Sequence, residues 1–573
     1  MDARLNLVET FDEVKQMLAW LEGYRGRWLG VDTETEGLDW WRHDVRTVQI
    51  GGADAGWCIE FARWRGVIEH ALAQWQGDVV LHNAKFDLLM LAHRGIHLNR
   101  ARVYDSMVAV HVLEPNKPKG LKPAAERHVH KDALVGQQAL WDAMGARTGW
   151  TWENIPINLP AYWQYAALDP VLTVRLMEKV WPLLTDQDRA VYELDMGASL
   201  VLMDMELRGM KVDRPYVLER IDTLGRYVHD LRTDAWNAFG GVDLGKDAQL
   251  VSYLQGEGVT FVTHKEKGNV KLDNAVLEAM QHPIAPWVLA YRRASKRVST
   301  YFQPWILNSD DRSMLHASFN VQGARTSRMS SERPNLQNVP RSREVRSGLV
   351  PAEEHHVLVL ADYDQIELRI MAHVANEEAM IRAIHEGVDL HTNTARLVFG
   401  TESPTKEQRR IAKHANFAKI YGAGTAKFAA TAGIGYDEAA AFVQAYEAEF
   451  PGVVQVMNTI SGSRVGGAFE MRTAYAGRRQ VATEGYKLVN YVVQGTAADV
   501  FKRKLIEVDA AGLGDYLRVP IHDEMAFSVP RNEAEEFARE LPSVMEDLDS
   551  FKVPLSVGVE IVSSWGDKYE EGT

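Results

Sequence analysis

Two apolar tetrapeptides, Trp28-Leu29-Gly30-Val31 and Val357-Leu358-Val359-Leu360, each run within two residues into an acid, Asp32 and Asp362. Short apolar runs of this kind read as strands buried on both faces. An acid at the exit of such a strand lies at a sheet end, where a cation can reach it. The length of 573 residues suggests about three or four domains, at roughly 100–200 residues each. With 46% hydrophobic and 25% charged residues, wholesale disorder is excluded. The single cysteine, Cys58, excludes an intramolecular disulfide and a Cys-rich zinc site, and suits a reducing cytosol. No apolar run approaches the roughly 18 residues of a membrane span. The N-terminus, MDARLNLVETFDEVKQ, is charged throughout and does not read as a secretory signal. A soluble, cytoplasmic, multidomain protein is expected.

The pattern changes along the chain. Strands at 28–31, 48–50, 57–59 and 79–81, followed by helical periodicity, predict an α/β domain ending near residue 185. Residues 186–300 read as mainly helical, 316–346 as a Ser/Asn/Arg-rich stretch, and 371–460 as almost wholly helical. The segments Leu517-Arg518-Val519 and Phe527-Ser528-Val529 predict a strand–turn–strand.

Asp32 and Glu34 stand at i and i+2 of the first strand, on one face, so both carboxylates can meet one cation. An isolated Asp-x-Glu is more often a pair of solvated edge acids. Two further elements change the reading. His82-Asn83-Ala84-Lys85-Phe86-Asp87 follows an apolar strand and places Asp87 in the first turns of a helix. Tyr165-Ala166-Ala167-Leu168-Asp169 puts Tyr165 and Asp169 on one helical face. Four converging carboxylates repel unless cations are present, and hard oxygen ligands suit Mg²⁺ or Mn²⁺. Two such ions about 3.5–4 Å apart can activate a water and stabilise a leaving phosphodiester oxygen.

With these three elements in order, residues 25–180 resemble the 3′–5′ proofreading exonuclease domain of the DEDD superfamily, in its tyrosine-bearing branch. The resemblance implies that Asp32, Glu34, Asp87 and Asp169 are the four metal-binding acids and that Tyr165 orients the water. Asp105 falls outside this pattern and reads as structural.

The second acid cluster begins at Asp362-Tyr363-Asp364-Gln365-Ile366-Glu367-Leu368-Arg369. Its distant partner is Ile521-His522-Asp523-Glu524, which reads as a β-hairpin carrying acids at its tip. Alone, His-Asp-Glu is a polar turn. Between the two lies a helix on which Arg409, Lys413, Phe417 and Tyr421 recur every four residues. One reading is a solvated basic face with snorkelling cations. The other is a surface that grips a triphosphate with its cations and stacks a base on its aromatics.

Residues from about 186 to the C-terminus resemble a family A DNA polymerase. Asp362 and its octet match motif A, 409–422 the fingers helix of motif B, and 522–524 motif C. The segments 205–213, 326–331, 334–340, 389–392 and 490–499 also fit the family pattern. The fold implied is multidomain α/β and α+β: an RNase H-like exonuclease domain over 1–185 and a right-hand polymerase over 186–573. Within the hand, the palm would be 186–213, 300–370 and 470–573, the thumb 214–299 and the fingers 371–469.

The resemblance implies two Mg²⁺ ions at each site, with Mn²⁺ as a substitute. Asp362 and Asp523 would be the polymerase metal ligands, with Glu524 an auxiliary acid. Arg409, Lys413, His391 and Gln365 would hold the nucleotide, Phe417 would pack on its sugar and base, and Glu367 would block a 2′-hydroxyl. Tyr421 would stack where the templating base arrives. Arg328, Gln337, Asn338, Asn490, Gln494 and His522 would touch primer–template DNA. Asp364, Ser327 and Tyr486 depart from the usual serine, glycine and arginine, and the clamp arginine is either Arg341 or Arg343. The absence of a 5′-nuclease segment and the short thumb suggest a phage-type replicase, expected to act as a monomer. Replisome partners such as a helicase-primase or a single-strand-binding protein stay open. Rival readings are a single-subunit RNA polymerase, a nuclease whose second half only binds DNA, and a non-catalytic scaffold. Glu367 and the two acid sets argue against them.

A net charge of −14 counts against a nucleic-acid partner. Charge by region reverses that: residues 291–346 carry a net +7 and residues 531–550 a net −5.

Overall fold

The computed structural model describes residues 2–145, 149–261, 270 and 272–569. The N-terminal sheet has six strands, β1 (Arg4–Val8), β2 (Trp28–Thr35), β3 (Val45–Gly51), β4 (Ala55–Glu60), β5 (Asp78–Leu81) and β6 (Val103–Asp105). Their order is β1-β4-β3-β2-β5-β6. β2 pairs antiparallel with β3 and parallel with β5. It is therefore an interior strand, which explains its unbroken apolar start: Trp28 to Val31 are all buried. From Asp32 onward burial alternates, as the strand reaches the sheet end.

The helix Pro160–Val180 lies directly on this sheet. The approach is so close that a Cβ on Gly30 would stand 2.4 Å from the Pro170 carbonyl oxygen, and one on Gly56 1.9 Å from that of Ala167. Only glycine lets helix and strands touch there.

The second sheet has four strands, β7 (His356–Tyr363), β8 (Leu517–Ile521), β9 (Glu524–Pro530) and β10 (Val557–Val562), in the order β8-β9-β7-β10. β7 is interior, with Val357 to Ala361 buried, and Asp362 is half-buried at its end. β8 and β9 form a hairpin in which Ile521 pairs with Glu524. The two turn residues are His522 and Asp523. His522 has φ of 52°, the left-handed backbone that tight hairpins need.

Six helices between Glu378 and Gly462 pack into the same core as this sheet. The long helix Arg214–Ala238 carries a separate small core that includes Leu250, Leu254 and Val288. The helix Asp186–Arg208 contributes side chains to both large cores and joins the two halves. Where they meet, Asp195 is fully buried among Arg478, Lys502 and Gln322. No helix among the described residues is long and apolar enough to cross a membrane.

Candidate active sites

In the N-terminal site, Asp32, Glu34 and Asp169 each offer an oxygen within 4.8 Å of the others. β2 supplies the first two and the closely seated helix Pro160–Val180 supplies the third. Asp87 does not join this trio. It is 2% exposed and accepts a hydrogen bond from the Thr33 hydroxyl at 2.6 Å. The charge of Asp32 still acts on it, so Asp87 lies within electrostatic reach of the trio. Of the four acids expected to converge, three meet within 4.8 Å and Asp87 stands beside them, held by Thr33. Asp105 caps the helix Ser106–Leu113 and accepts from the backbone N–H of Asn83 and Ala84, a structural role.

A residue that no motif signals lies among these acids. Lys122, on the helix Leu121–His128, is buried and hydrogen-bonded to Asp169, with its ammonium 4.4 Å from the Tyr165 ring centre. One ammonium does not balance the cluster. Burial pushes Asp32 up to about 7, against the pull of Lys122. Burial and the charge of Asp32 push Glu34 up to about 8. Burial, then Asp32, also raises Asp87. Burial lowers Lys122 to about 8 despite Asp32 and Glu34. Such a cluster is short of positive charge, and hard oxygen ligands fit a divalent cation.

In the C-terminal site, Asp362 on β7 pairs in register with Glu524 on β9, and the Tyr363 N–H donates to the Asp523 carbonyl. This brings Asp362 and Asp523 to one sheet end. The Asp362 Oδ1 atom is buried and has no hydrogen-bond partner. Burial, then the neighbouring Asp523, raises the Asp362 carboxyl to about 6, while Lys568 opposes the shift. An orphaned carboxylate oxygen beside a second acid fits a divalent cation. Glu524 is placed differently: it accepts from Trp565 Nε1 at 2.9 Å and pairs with Lys568. Asp364 accepts from the Ser556 hydroxyl at 3.1 Å, which occupies this added acid outside the pair.

The helix Lys406–Ile420 presents Arg409 and Lys413 to solvent. Arg409 is tied to Asp389 by bonds of 3.0 and 3.1 Å, and Gln365 donates to the same carboxylate at 3.0 Å. Arg409 then holds Asp389 at about 2 against its burial. Lys413 makes no ion pair among the described residues. Phe417 and Tyr421 are stacked, centroids 6.1 Å apart at 16°. His391 is buried, bonded to Asn416 at 3.1 Å and 5.7 Å from the Phe417 ring. Burial lowers it to about 4, so it is neutral at pH 7.

Glu367 is buried and paired with Arg328, and Gln494 donates to it at 3.2 Å. Gln494 also reaches the Tyr421 hydroxyl at 3.5 Å. Asn338 and His522 are exposed, and the Asn490 side-chain oxygen is buried without a partner. Gln337, expected to touch DNA, is turned inward: it is 6% exposed and donates to the Pro520 carbonyl at 3.4 Å. Its backbone N–H is held by Ser331, which fixes that orientation. Arg341 is exposed and its charge acts on His522 and Asp523, whereas Arg343 lies 3.8 Å from Asp567. Of the two, Arg341 is the one whose charge acts on the acid site. Ser327 takes φ of 64°, a backbone that favours glycine, and its hydroxyl accepts from Gln480 at 3.0 Å. Tyr486 is 48% exposed beneath the turn at Gly422.

Comparison with known proteins agrees with this geometry. A family model described as DNA polymerase family A matches residues 215–567, and one described as 3′–5′ exonuclease matches 6–185. The chain belongs to DNA polymerase family A, with a 3′–5′ exonuclease domain ahead of the polymerase domain. It is 33% identical over 529 residues to DNA polymerase I of Chloroflexus aurantiacus, covering 85% of this chain and 54% of that protein. It is 28% identical over 601 residues to the DNA polymerase of Mycobacterium phage L5, covering 99% and 97% respectively. The chain spans about half the length of the bacterial relatives it matches. Among solved structures it resembles the POL domain of Pol1 from M. smegmatis, in complex with DNA primer-template and dNTP. The TM-score is 0.81 at 25% identity, over 98% of this chain and 99% of that one.

Proposed function

We propose that this protein is a template-directed DNA polymerase with 3′–5′ proofreading, serving phage-type replication in a host cytoplasm. The observation that carries the reading is the pairing of two separate acid sites, one of them beside a face of cations and stacked aromatics. The bound primer-template and dNTP of the M. smegmatis relative support it. The division into exonuclease 1–185, palm, thumb and fingers is proposed with it.

Asp362 and Asp523 would hold Mg²⁺ at the polymerase site. Asp32, Glu34 and Asp169, with Asp87 beside them, would hold it at the exonuclease site. Two ions per site are proposed, with Mn²⁺ able to substitute. When bound, such ions lower the pKa of the attacking hydroxyl or water and neutralise the leaving oxygen.

In extension, the primer 3′-oxygen loses its proton and bonds to the α-phosphorus of a dNTP, and the bond to pyrophosphate breaks. Arg409 and Lys413 bind the triphosphate, which frees Arg409 from Asp389. Phe417 packs against the incoming sugar and base, with neutral His391 beneath it. Glu367, fixed by Arg328 and Gln494, fills the space a 2′-hydroxyl would take. Tyr421 offers a stacking face to the template, and Asn338, Asn490, His522 and Arg341 line the primer–template side. In proofreading, a water positioned by Tyr165 loses a proton and bonds to the terminal phosphorus, the bond to the penultimate 3′-oxygen breaks, that oxygen takes up a proton, and a dNMP is released.

The test is primer extension and single-strand 3′–5′ digestion by the wild-type chain and its Asp362→Ala and Asp32→Ala variants. Extension lost in the first and digestion lost in the second is the expected result. Ribonucleotide incorporation as efficient as that of deoxynucleotides would overturn the polymerase assignment.

A further inference from the structure

The turn Trp565–Lys568 belongs to the polymerase acid site. It follows β10, whose register on β7 places Gly558 opposite Asp362. Trp565 is fully buried, and its indole N–H donates to Glu524 Oε1 at 2.9 Å. Arg346, itself buried, stands 3.5 Å from that same oxygen. Its guanidinium lies 4.5 Å from the Trp565 ring centre and 5.0 Å from that of Tyr569. Lys568 takes the other oxygen of Glu524 and reaches Asp362 Oδ2 at 3.3 Å.

The two acids paired across β7 and β9 are therefore in different states. Glu524 has both oxygens engaged by one N–H and two cations. Asp362 has Oδ2 engaged and Oδ1 buried and bare. A carboxylate with partners on both oxygens has little acceptor capacity left for a metal, whereas a bare buried oxygen has its capacity unmet.

We propose that Lys568 is a positioning residue of the polymerase site: before metal binds, its ammonium is a built-in counter-ion to Glu524 and to the outer oxygen of Asp362, so that a divalent ion meets Asp362 first through Oδ1. The inference rests on the polymerase reading above. Glu524 is then the anchor of this turn and not a metal ligand. Coulomb's law gives the sign of the test. An ammonium beside two carboxylates repels a divalent cation from them and offsets their charge. Removing the ammonium exposes two neighbouring carboxylate oxygens to any divalent cation present.

The experiment counts Mn²⁺ ions by electron paramagnetic resonance on the full chain, in an Asp32→Ala/Glu34→Ala background that silences the exonuclease site. Lys568→Met is expected to bind one more Mn²⁺ per chain than its parent. Its kcat for extension should fall about tenfold, in the range of losses seen when a metal ligand's hydrogen-bond partner is removed. Lys568→Arg should keep the parental count. Glu524→Gln/Lys568→Met should lose the extra ion, because Glu524 supplies half of its site. An unchanged count in Lys568→Met overturns the proposal whatever happens to kcat, and so does an extra ion that persists in the double variant. Lys568→Gln is measured alongside and is read by the same rule if Lys568→Met does not fold. Failure of the wild-type chain to extend a primer would sink the polymerase reading but leave the ion count to decide the role of Lys568.

Discussion

The two acid sites are built alike but sealed differently. Each begins with an acid at the end of an interior strand, and each holds a lysine from a distant segment. In the exonuclease site Lys122 is 5% exposed at its side chain and three acids crowd together around it. In the polymerase site Lys568 is 16% exposed and the acids lie at an open sheet end. The consequence appears in the carboxyl groups: Asp32 and Glu34 are pushed to about 7 and 8, Asp362 only to about 6. The deeper site pays more for its charges and depends more on a cation.

The largest effect should come from the acids themselves. Asp362→Ala should lower extension by about a thousandfold or more while single-strand digestion continues, and Asp32→Ala should do the reverse. Loss of both activities from either change in a folded protein would break the division into two sites.

Next in size is Lys122→Met. It leaves buried acids without their counter-ion, and breaking such a pair costs about 3–5 kcal/mol. Urea unfolding in EDTA should show that loss, and added Mg²⁺ should recover part of it. Lys568→Met should cost much less, because its site is more open. Equal losses would erase the distinction drawn from burial.

Gly30→Ala should act on one site only. The methyl group would push the helix carrying Asp169 away from β2. A displacement near 1 Å can cost about a hundredfold in rate. Digestion should fall by that order while extension is unchanged, and loss of both would show that the two sites share one strained core.

The smallest effect is on acid stability. His82 and His111, both in the exonuclease half, are lowered to about 3 by burial. Each folded pKa lies below the unfolded value of about 6.5, so the unfolded chain takes up protons first as pH falls. Their stabilisation is complete above pH 6.5 and is lost below it, at most about 2 kcal/mol each by pH 5. The raised carboxyls of Asp32, Glu34 and Asp87 act in the opposite sense over the same range, so the histidine contribution is read as a difference between parent and variant. Between pH 7 and pH 5 the unfolding midpoint of His82→Asn, followed through the exonuclease tryptophans, should fall less or rise more than that of the parent, and identical pH profiles would rule out the part of His82.

Much of the candidate chemistry was legible in the sequence because it rests on short-range periodicity. The i, i+2 spacing of Asp32 and Glu34, the i, i+4 spacing of Tyr165 and Asp169, and the two-residue turn at His522 are local geometry. The helical stripe Arg409-Lys413-Phe417-Tyr421 is another case. Less legible were the partners each side chain takes. Nothing near Lys122 marks it as the neighbour of Asp169, and a threonine between two acids does not say that it binds Asp87. Gln337 sits in a segment that reads as DNA-facing, yet one serine hydroxyl turns it inward. That Arg343 reaches Asp567 while the charge of Arg341 acts on His522 is likewise a matter of which distant segments meet.

By itself, then, the sequence determined where the two acid-bearing strands lie, which helix carries the cations and aromatics, and that two metal-fitting sites stand in one chain. Strand and helix periods impose those placements within a few residues. Only the tertiary structure decided how many acids converge, which of them are already neutralised, and which oxygen is left bare. Those outcomes depend on contacts between segments separated by tens to hundreds of residues, such as Gly30 against Pro170 and Lys568 against Asp362. They are set by packing and desolvation, which have no period along the chain.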